Sequence, residues 1–282
     1  MKETPSLAQI GHSSTKETEK KISIKRVTDP ESIDLKKFHE FLGTIFNPAE
    51  LEPLESFKEE LRRQDPDNCF LCLIAKDKNG NVISGAYGSL IKDILAVRLL
   101  ATETKQQGTG VTKKIDESFL EEITKLGELN SVVGEAVDEA EAFFNRISLF
   151  ESSNSARRLY YTDPNTSEPD FSKQIFYRLP PFEWNPDGTP VNDPHYVENL
   201  QVAIKGHKDK IPVIKLEEIL RLWWQKWYIR PKEQFESNGA FQKHQDYVMG
   251  VLENEIIKPI KASRQEFVIP VAKKERLKRA RQ

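Results

Sequence analysis

The stretch from Asp93 to Val137 constrains this chain most. Asp93 to Leu100 reads as an apolar strand, and Thr102 to Gly110 is polar and ends in Gly108-Thr109-Gly110. Val111, Ile115, Phe119, Ile123 and Leu126 then recur at helical spacing along one face, and Gly127 is a natural stop. Leu129 to Val137 reads as the next strand. A strand, a turn, a helix and a second strand form a crossover unit, so this span predicts two parallel neighbours in a sheet.

The flanking segments fill in the sheet. Ile22, Ile24 and Val27 begin a short strand pattern. Leu35, Phe38, Phe41, Leu42 and Ile45 mark a helix that Pro48 stops. Leu51, Leu54, Phe57 and Leu61 mark a second, closed by Asp65-Pro66-Asp67. Cys69 to Lys76 and Val82 to Leu90 are strands joined by a tight turn with an Asn79-Gly80 pair, which favours a hairpin. An antiparallel hairpin beside a parallel pair makes the sheet mixed. Beyond it, Ala140 to Tyr161 has helical periodicity, Ile175 to Arg178 and Leu200 to Lys205 read as strands, and Pro180 to Pro194 is proline-rich. Leu216, Ile219, Leu220, Trp223 and Trp227 line an amphipathic helix, and Phe241 to Ile260 predicts another.

Composition narrows the class. The 282 residues are 38% hydrophobic, enough for a real core. Lys plus Arg total 42 against 44 Asp plus Glu, a balance that argues against a dedicated nucleic-acid binder. No apolar run is long enough to span a bilayer, and the first twenty residues lack the apolar core of a secretory signal. Two cysteines exclude a disulfide-dense scaffold. A cytoplasmic enzyme or binding protein is the expectation.

The most chemical feature is Lys105-Gln106-Gln107-Gly108-Thr109-Gly110, set between a strand and a helix. Glycines there permit positive φ and close approach of backbone to a ligand. A helix that starts at once leaves its first amides unpaired, with the positive end of the dipole behind them. Together they suit a pyrophosphate, and Lys105 adds a full charge. The run is neither a Walker P-loop nor a complete G-x-G-x-x-G, since Lys113 stands at the third glycine's place.

In this context the chain resembles the GNAT superfamily of acyl-CoA-dependent N-acyltransferases. Lys105 to Gly110 is similar to the family's Arg/Gln-x-x-Gly-x-Gly/Ala, with Lys105 at the first place. Ala156-Arg157-Arg158-Leu159-Tyr160 looks like its helix bearing Ala-x-x-x-Tyr, and Tyr177-Arg178-Leu179-Pro180-Pro181 is similar to a Tyr-x-x-Pro-Pro of some members. The likeness spans Ile22 to Lys205. Departures are Lys105, Ser153 at the place of the usual asparagine (or else Asn154 out of register), and a long Val97–Lys105 connection that must bulge or extend its strand.

The resemblance implies an α/β (α+β) fold with a GNAT-like, mixed, mostly antiparallel central sheet flanked by helices, splayed fourth and fifth strands, and C-terminal helices. It divides the chain into a tail (1–20), an acyltransferase domain (21–212), a helical extension (213–265) and a basic flexible tail (266–282). It implies acetyl-CoA, or another acyl-CoA, as co-substrate. Leu95, Ala96 and Val97 would offer backbone groups to the pantetheine arm, and Lys105, Gln106, Gln107, Gly108, Thr109 and Gly110 would hold the pyrophosphate. Glu135 would take a proton from the attacking amine and Tyr160, with Tyr161 in reserve, would give one to the leaving thiolate. Glu135 also reads as a strand-end surface acid and Tyr160 as a packed aromatic. The acceptor is a small-molecule or peptide amine, and a homodimer is compatible with the family. The alternative is a catalytically inactive CoA-binding or protein-interaction module on the same fold.

Other residues read as structure. Cys69 and Cys72 lie three apart on a strand and so face opposite ways, as free thiols rather than a metal pair. His12, His39, His195, His207 and His244 lack metal-ligand spacing. Trp223 and Trp227 share the core face of their helix, whereas Trp224 points elsewhere, toward a partner surface or a cleft. Six basic side chains and one acid from Lys273 onward predict a solvated end.

Overall fold

A computed structural model describes residues 22–46, 51–63, 67–136, 157–163, 165–178, 180–191, 197–207, 209–263 and 266–271. The first half follows the hydrophobic pattern. Strand β1 (Ser23–Val27) leads to α1 (Ile33–Gly43), whose N-terminus is capped by the Ser32 hydroxyl accepting from the Leu35 amide. Helix α2 (Leu54–Arg62) follows, then β2 (Asn68–Lys76), β3 (Val82–Ile91) and β4 (Ile94–Thr102) as a meander. Helix α3 (Val111–Leu126) crosses to β5 (Ser131–Ala136).

The second half keeps adding strands: β6 (Arg157–Thr162), β7 (Pro169–Gln174), β8 (Phe176–Arg178), β9 (Val197–Ile204) and β10 (Ile211–Pro212). Helices α4 (Val213–Tyr228) and α5 (Asn238–Val251) come next. A π-helical stretch, Leu252–Ile257, joins α5 to the short α6 (Lys258–Ala262), and β11 (Phe267–Val271) closes the described chain.

All these strands join one sheet, in the order β1-β2-β3-β4-β5-β9-β6-β11-β10, with β7 on β6 and β8 on β9. Among the described residues β4 and β5 are its parallel pair, and the other pairings are antiparallel. This is the mixed sheet that the hairpin and the crossover predicted, and it is mostly antiparallel, as the resemblance implied.

Helix α3 covers one face. Its Val111, Ile115, Phe119 and Ile123 pack on Leu71, Leu73, Leu95, Val97 and Val132. The opposite face is shared. Phe38, Leu42, Phe57 and Leu61 of α1 and α2 cover Phe70, Ile74 and Tyr87, while α4 and α5 cover Ile94, Ala96, Val133, Leu200 and Val202.

Three expectations change here. Arg157–Tyr160 lies in a strand, not in the helix of the Ala-x-x-x-Tyr pattern, and Ala156, Ser153 and Asn154 fall outside the described residues. An apolar residue four places from another suits either period, so that signal was ambiguous. Phe267–Val271, assigned to the flexible tail, is a strand paired with β6 and β10, because its Val268 and Ile269 have apolar surface to bury. Trp224 is fully buried rather than displayed, and its indole N–H donates to the Val248 carbonyl at 2.9 Å. No helix among the described residues is long and apolar enough to cross a membrane.

Candidate active site

The glycine turn has the geometry its sequence suggests. A single 3-10 turn, Thr104–Gln106, delivers the chain to Gly108 at φ 81° and Gly110 at φ 83°. Both values are in the left-handed region, where glycine alone is unstrained. Gly110 is the N-cap of α3 and provides no side-chain cap. The first intrahelical donor is Lys114, to the Gly110 carbonyl at 3.1 Å, and Thr109 turns inward to Gln106. No acceptor among the described residues takes the amides of Gly108, Gly110, Val111, Thr112 or Lys113. Gln107 to Gly110 are exposed, and a Cβ built on Gly108 or Gly110 would meet nothing within 4 Å.

The turn is anchored from behind. The Thr112 hydroxyl lies 2.9 Å from that of Thr102, which lies 2.7 Å from that of Ser84. This chain of hydroxyls ties α3, β4 and β3 together beneath the free amides. The first turn of α3 carries no acid, and Lys105 is 87% exposed, 3.9 Å from Glu103. Open amides, a helix dipole and an exposed ammonium make an anion cradle.

Next to it the parallel pair comes apart. Ile94 to Val97 pair with Ser131 to Gly134, and there the ladder ends. β4 continues to Thr102 held only by β3, and β5 continues to Ala136 held only by β9. The two strands therefore splay from a vertex at Val97 and Gly134. Of the expected pantetheine contacts, Leu95 and Ala96 are paired on both sides, and Val97 is the last residue zipped to β5. Their backbone groups are spent in the ladders. The free edge of β4 begins at Arg98.

Arg98 is itself a bulge. Gly88 pairs with Val97 and Tyr87 with Leu99, so Arg98 has no opposite number on β3. The long connection before Lys105 is absorbed in this way, by an extra residue and an extended strand. Arg98 projects to the face opposite α3 and its neighbour Val97, into a buried ionic cluster. Its guanidinium is 7% exposed, bonds the Tyr87 hydroxyl at 3.1 Å and pairs with the Glu52 carboxylate and with Glu60 at 3.5 Å. It lies 3.8 Å over the Trp227 ring. Glu52 is 2% exposed and also faces Arg230 at 3.6 Å. Burial pushes the Glu60 carboxyl up to about 7, against the pull of Arg98.

These residues were missed by sequence reasoning. Arg98 carried the available signal, a lone cation inside the apolar run Ile94–Ala101. Glu52, Glu60 and Arg230 are distant in sequence and carried none.

The other expected residues scatter. The Glu135 backbone lies one residue past the vertex, opposite Leu200, and its side chain is outside the described residues. Tyr160 is 3% exposed on β6, registered with Ile269 and Gln174, and β9 stands between β6 and β5. Nothing described brings Tyr160 to the vertex. Cys72 is buried, which raises its thiol well above the usual range, and Cys69 is half-buried. No group of three or more His, Cys, Asp or Glu among the described residues is arranged to hold a metal.

No protein-family model matches this chain, and no curated protein matches its sequence. Solved structures similar to it include a putative GNAT-family acetyltransferase from Bacteroides thetaiotaomicron (18% identity, 73% of this chain and 97% of that one, TM-score 0.44). A glucosamine-6-phosphate N-acetyltransferase from Arabidopsis thaliana is 15% identical over 51% of this chain and 99% of its own (TM-score 0.36). A GNAT-family N-acetyltransferase from Escherichia coli, in complex with CoA, is 20% identical over 44% of this chain and 68% of its own (TM-score 0.36). At these scores the fold rests on the chain's own topology. That topology is a mixed sheet whose parallel strands part beside a glycine turn.

Proposed function

We propose that this protein is an acyl-CoA-dependent N-acyltransferase that passes an acyl group to a primary amine. One observation carries the reading: the free amides of Gly108 and of Gly110 to Lys113 stand beside strands that part at Val97 and Gly134. The turn would hold the pyrophosphate, with Lys105 adding charge. The unpaired β4 edge from Arg98 to Thr102 would bond the amides of the pantetheine arm. Acyl-CoA supplies an activated carbonyl, and the residues around the vertex would orient the amine. Glu135 is the acid that β5 offers there. Tyr160 is not retained as a proton donor, since β9 separates its strand from β5.

Thermal shift with acetyl-CoA tests this. Acetyl-CoA at millimolar concentration is expected to raise the melting temperature, and ATP is expected to raise it less. Thiol release in the presence of amines then reports turnover. Acyl-CoA esters that leave the melting temperature unchanged would sink the proposal.

A further inference from the structure

The vertex has two faces, and they differ in chemistry. The glycine turn opens α3, so the diphosphate end belongs with the α3 face. The opposite face, where Arg98 emerges, is closed by α2, β3 and the segments around α4. There the cluster brings together Glu52, Glu60, Arg98 and Arg230 among Tyr87, Phe182 and Trp227. An ion cluster used only as a staple satisfies itself. This one does not: Arg98 Nε and Nη2 have no hydrogen-bond partner among the described residues, although the side chain is 7% exposed.

The two carboxylates are also unequal. Glu52 is sealed at 2% exposure between two guanidiniums, while the Glu60 side chain keeps 21% and meets Arg98 with one oxygen. Glu60 is thus the less buried acid of the cluster, and it pairs with the arginine that follows the vertex.

We infer that Glu60 takes the proton from the acceptor amine, that Arg98 positions it, and that Trp227 and Arg230 make the C-terminal helices a wall of the acceptor end. This inference rests on the transferase reading above. The amine arrives as an ammonium, and one N–H proton passes to the Glu60 carboxylate. The freed lone pair forms the N–C bond at the thioester carbonyl and the C–S bond breaks. A second nitrogen proton goes with the thiolate to give the free thiol, and Glu60 returns its proton to solvent.

Several groups set the protonation of Glu60. Burial raises it; Glu52 adds to that, while Arg98, Arg230 and Arg63 oppose it. The outcome, a carboxyl titrating at about 7, gives a base that is both present and strong enough at neutral pH.

The test uses the full chain, acetyl-CoA and a panel of n-butylamine, spermidine and a lysine peptide. Wild-type kcat/KM for the amine is expected to rise with pH and level near pH 7. In Glu60→Gln that break disappears and kcat/KM at pH 7 falls about 100-fold, while the thermal shift with acetyl-CoA stays. Carboxyl labelling of the wild type, read by mass spectrometry, needs no variant to fold: acetyl-CoA is expected to shield Glu60. Labelling of Glu60 that acetyl-CoA leaves unchanged, or a Glu60→Gln profile like the wild type's, overturns the inference and leaves the transferase reading standing. A wild type that shows no thermal shift with acetyl-CoA, or that binds it without releasing thiol to any amine, overturns the transferase reading itself.

Discussion

Two side chains with shifted titrations pull stability in opposite directions. His244 is fully buried; its Nε2 accepts the Arg230 amide at 2.8 Å, and burial lowers its pKa to about 4. The unfolded imidazole takes a proton near 6.5 while the folded one stays neutral. His244 therefore stabilises fully above 6.5, and that contribution, about 3 kcal/mol, fades as the pH drops toward 4. Glu60 has the reverse sign. Its folded carboxyl holds a proton up to about 7 while the unfolded one loses it near 4.5, so its contribution shrinks as pH rises between those values. Melting curves across pH 4 to 8 are expected to separate the two: His244→Gln flattens the acid-side loss, and Glu60→Gln flattens the decline toward neutrality. Identical slopes in wild type and both variants would contradict these assignments. Neither residue declared itself in the sequence, because both shifts come from neighbours brought in by tertiary packing.

Elements built from local contacts were legible, and elements specified by distant partners were not. The hairpin, the crossover helix and the glycine turn follow from spacing within about twenty residues of chain, so period and turn chemistry were enough. The strand β6 was misread because Arg157–Thr162 is short and its partners β9 and β11 come later in the chain. The bulge at Arg98 lies between these cases. The length of the Val97–Lys105 connection required an irregularity, and only the ladder shows where it falls. Gly88 pairs with Val97 at the edge of the bulge, and the strands leave no room there for a side chain. A Cβ there would run into the Ala96 carbonyl and sit 3.1 Å from the Phe119 ring. Gly88→Ala is expected to cost about 1–3 kcal/mol in urea unfolding and to weaken acetyl-CoA binding by moving the vertex. At the turn the logic is different. Gly108→Val meets no atom within 4 Å, but φ is 81°. It is expected to leave the fold intact and to remove the acetyl-CoA thermal shift, because a β-branched residue refuses the turn that aims the amides. Equal shifts in wild type and Gly108→Val would place the anion site elsewhere.

At the scale of the molecule, the C-terminal segment is part of the core and not an appendage to it. Trp223, Trp224 and Trp227 of α4 share one cluster with Ala96 of β4, Val133 of β5 and Leu200 and Val202 of β9, and β11 pairs along β6. An amphipathic stripe predicted that α4 would pack, but a stripe names no partner, so the sequence reading made it an extension. Two consequences separate the readings. Trp224 has no exposure and donates to Val248 across the α4–α5 contact, so Trp224→Ala is expected to cost about 3–5 kcal/mol in chemical unfolding. A chain ending at Lys210 would strip the cover from Ile94, Ala96, Val133 and Val202, leave β6 without β11, and take Trp227 and Arg230 from around Arg98. Such a chain is expected to lose near-ultraviolet dichroism and to bind a hydrophobic dye, and to lose the acetyl-CoA thermal shift with them. A truncated chain that unfolds cooperatively and still responds to acetyl-CoA would make the helices a separable addition. In that case the sheet and α3 would need no C-terminal wall to hold the vertex open.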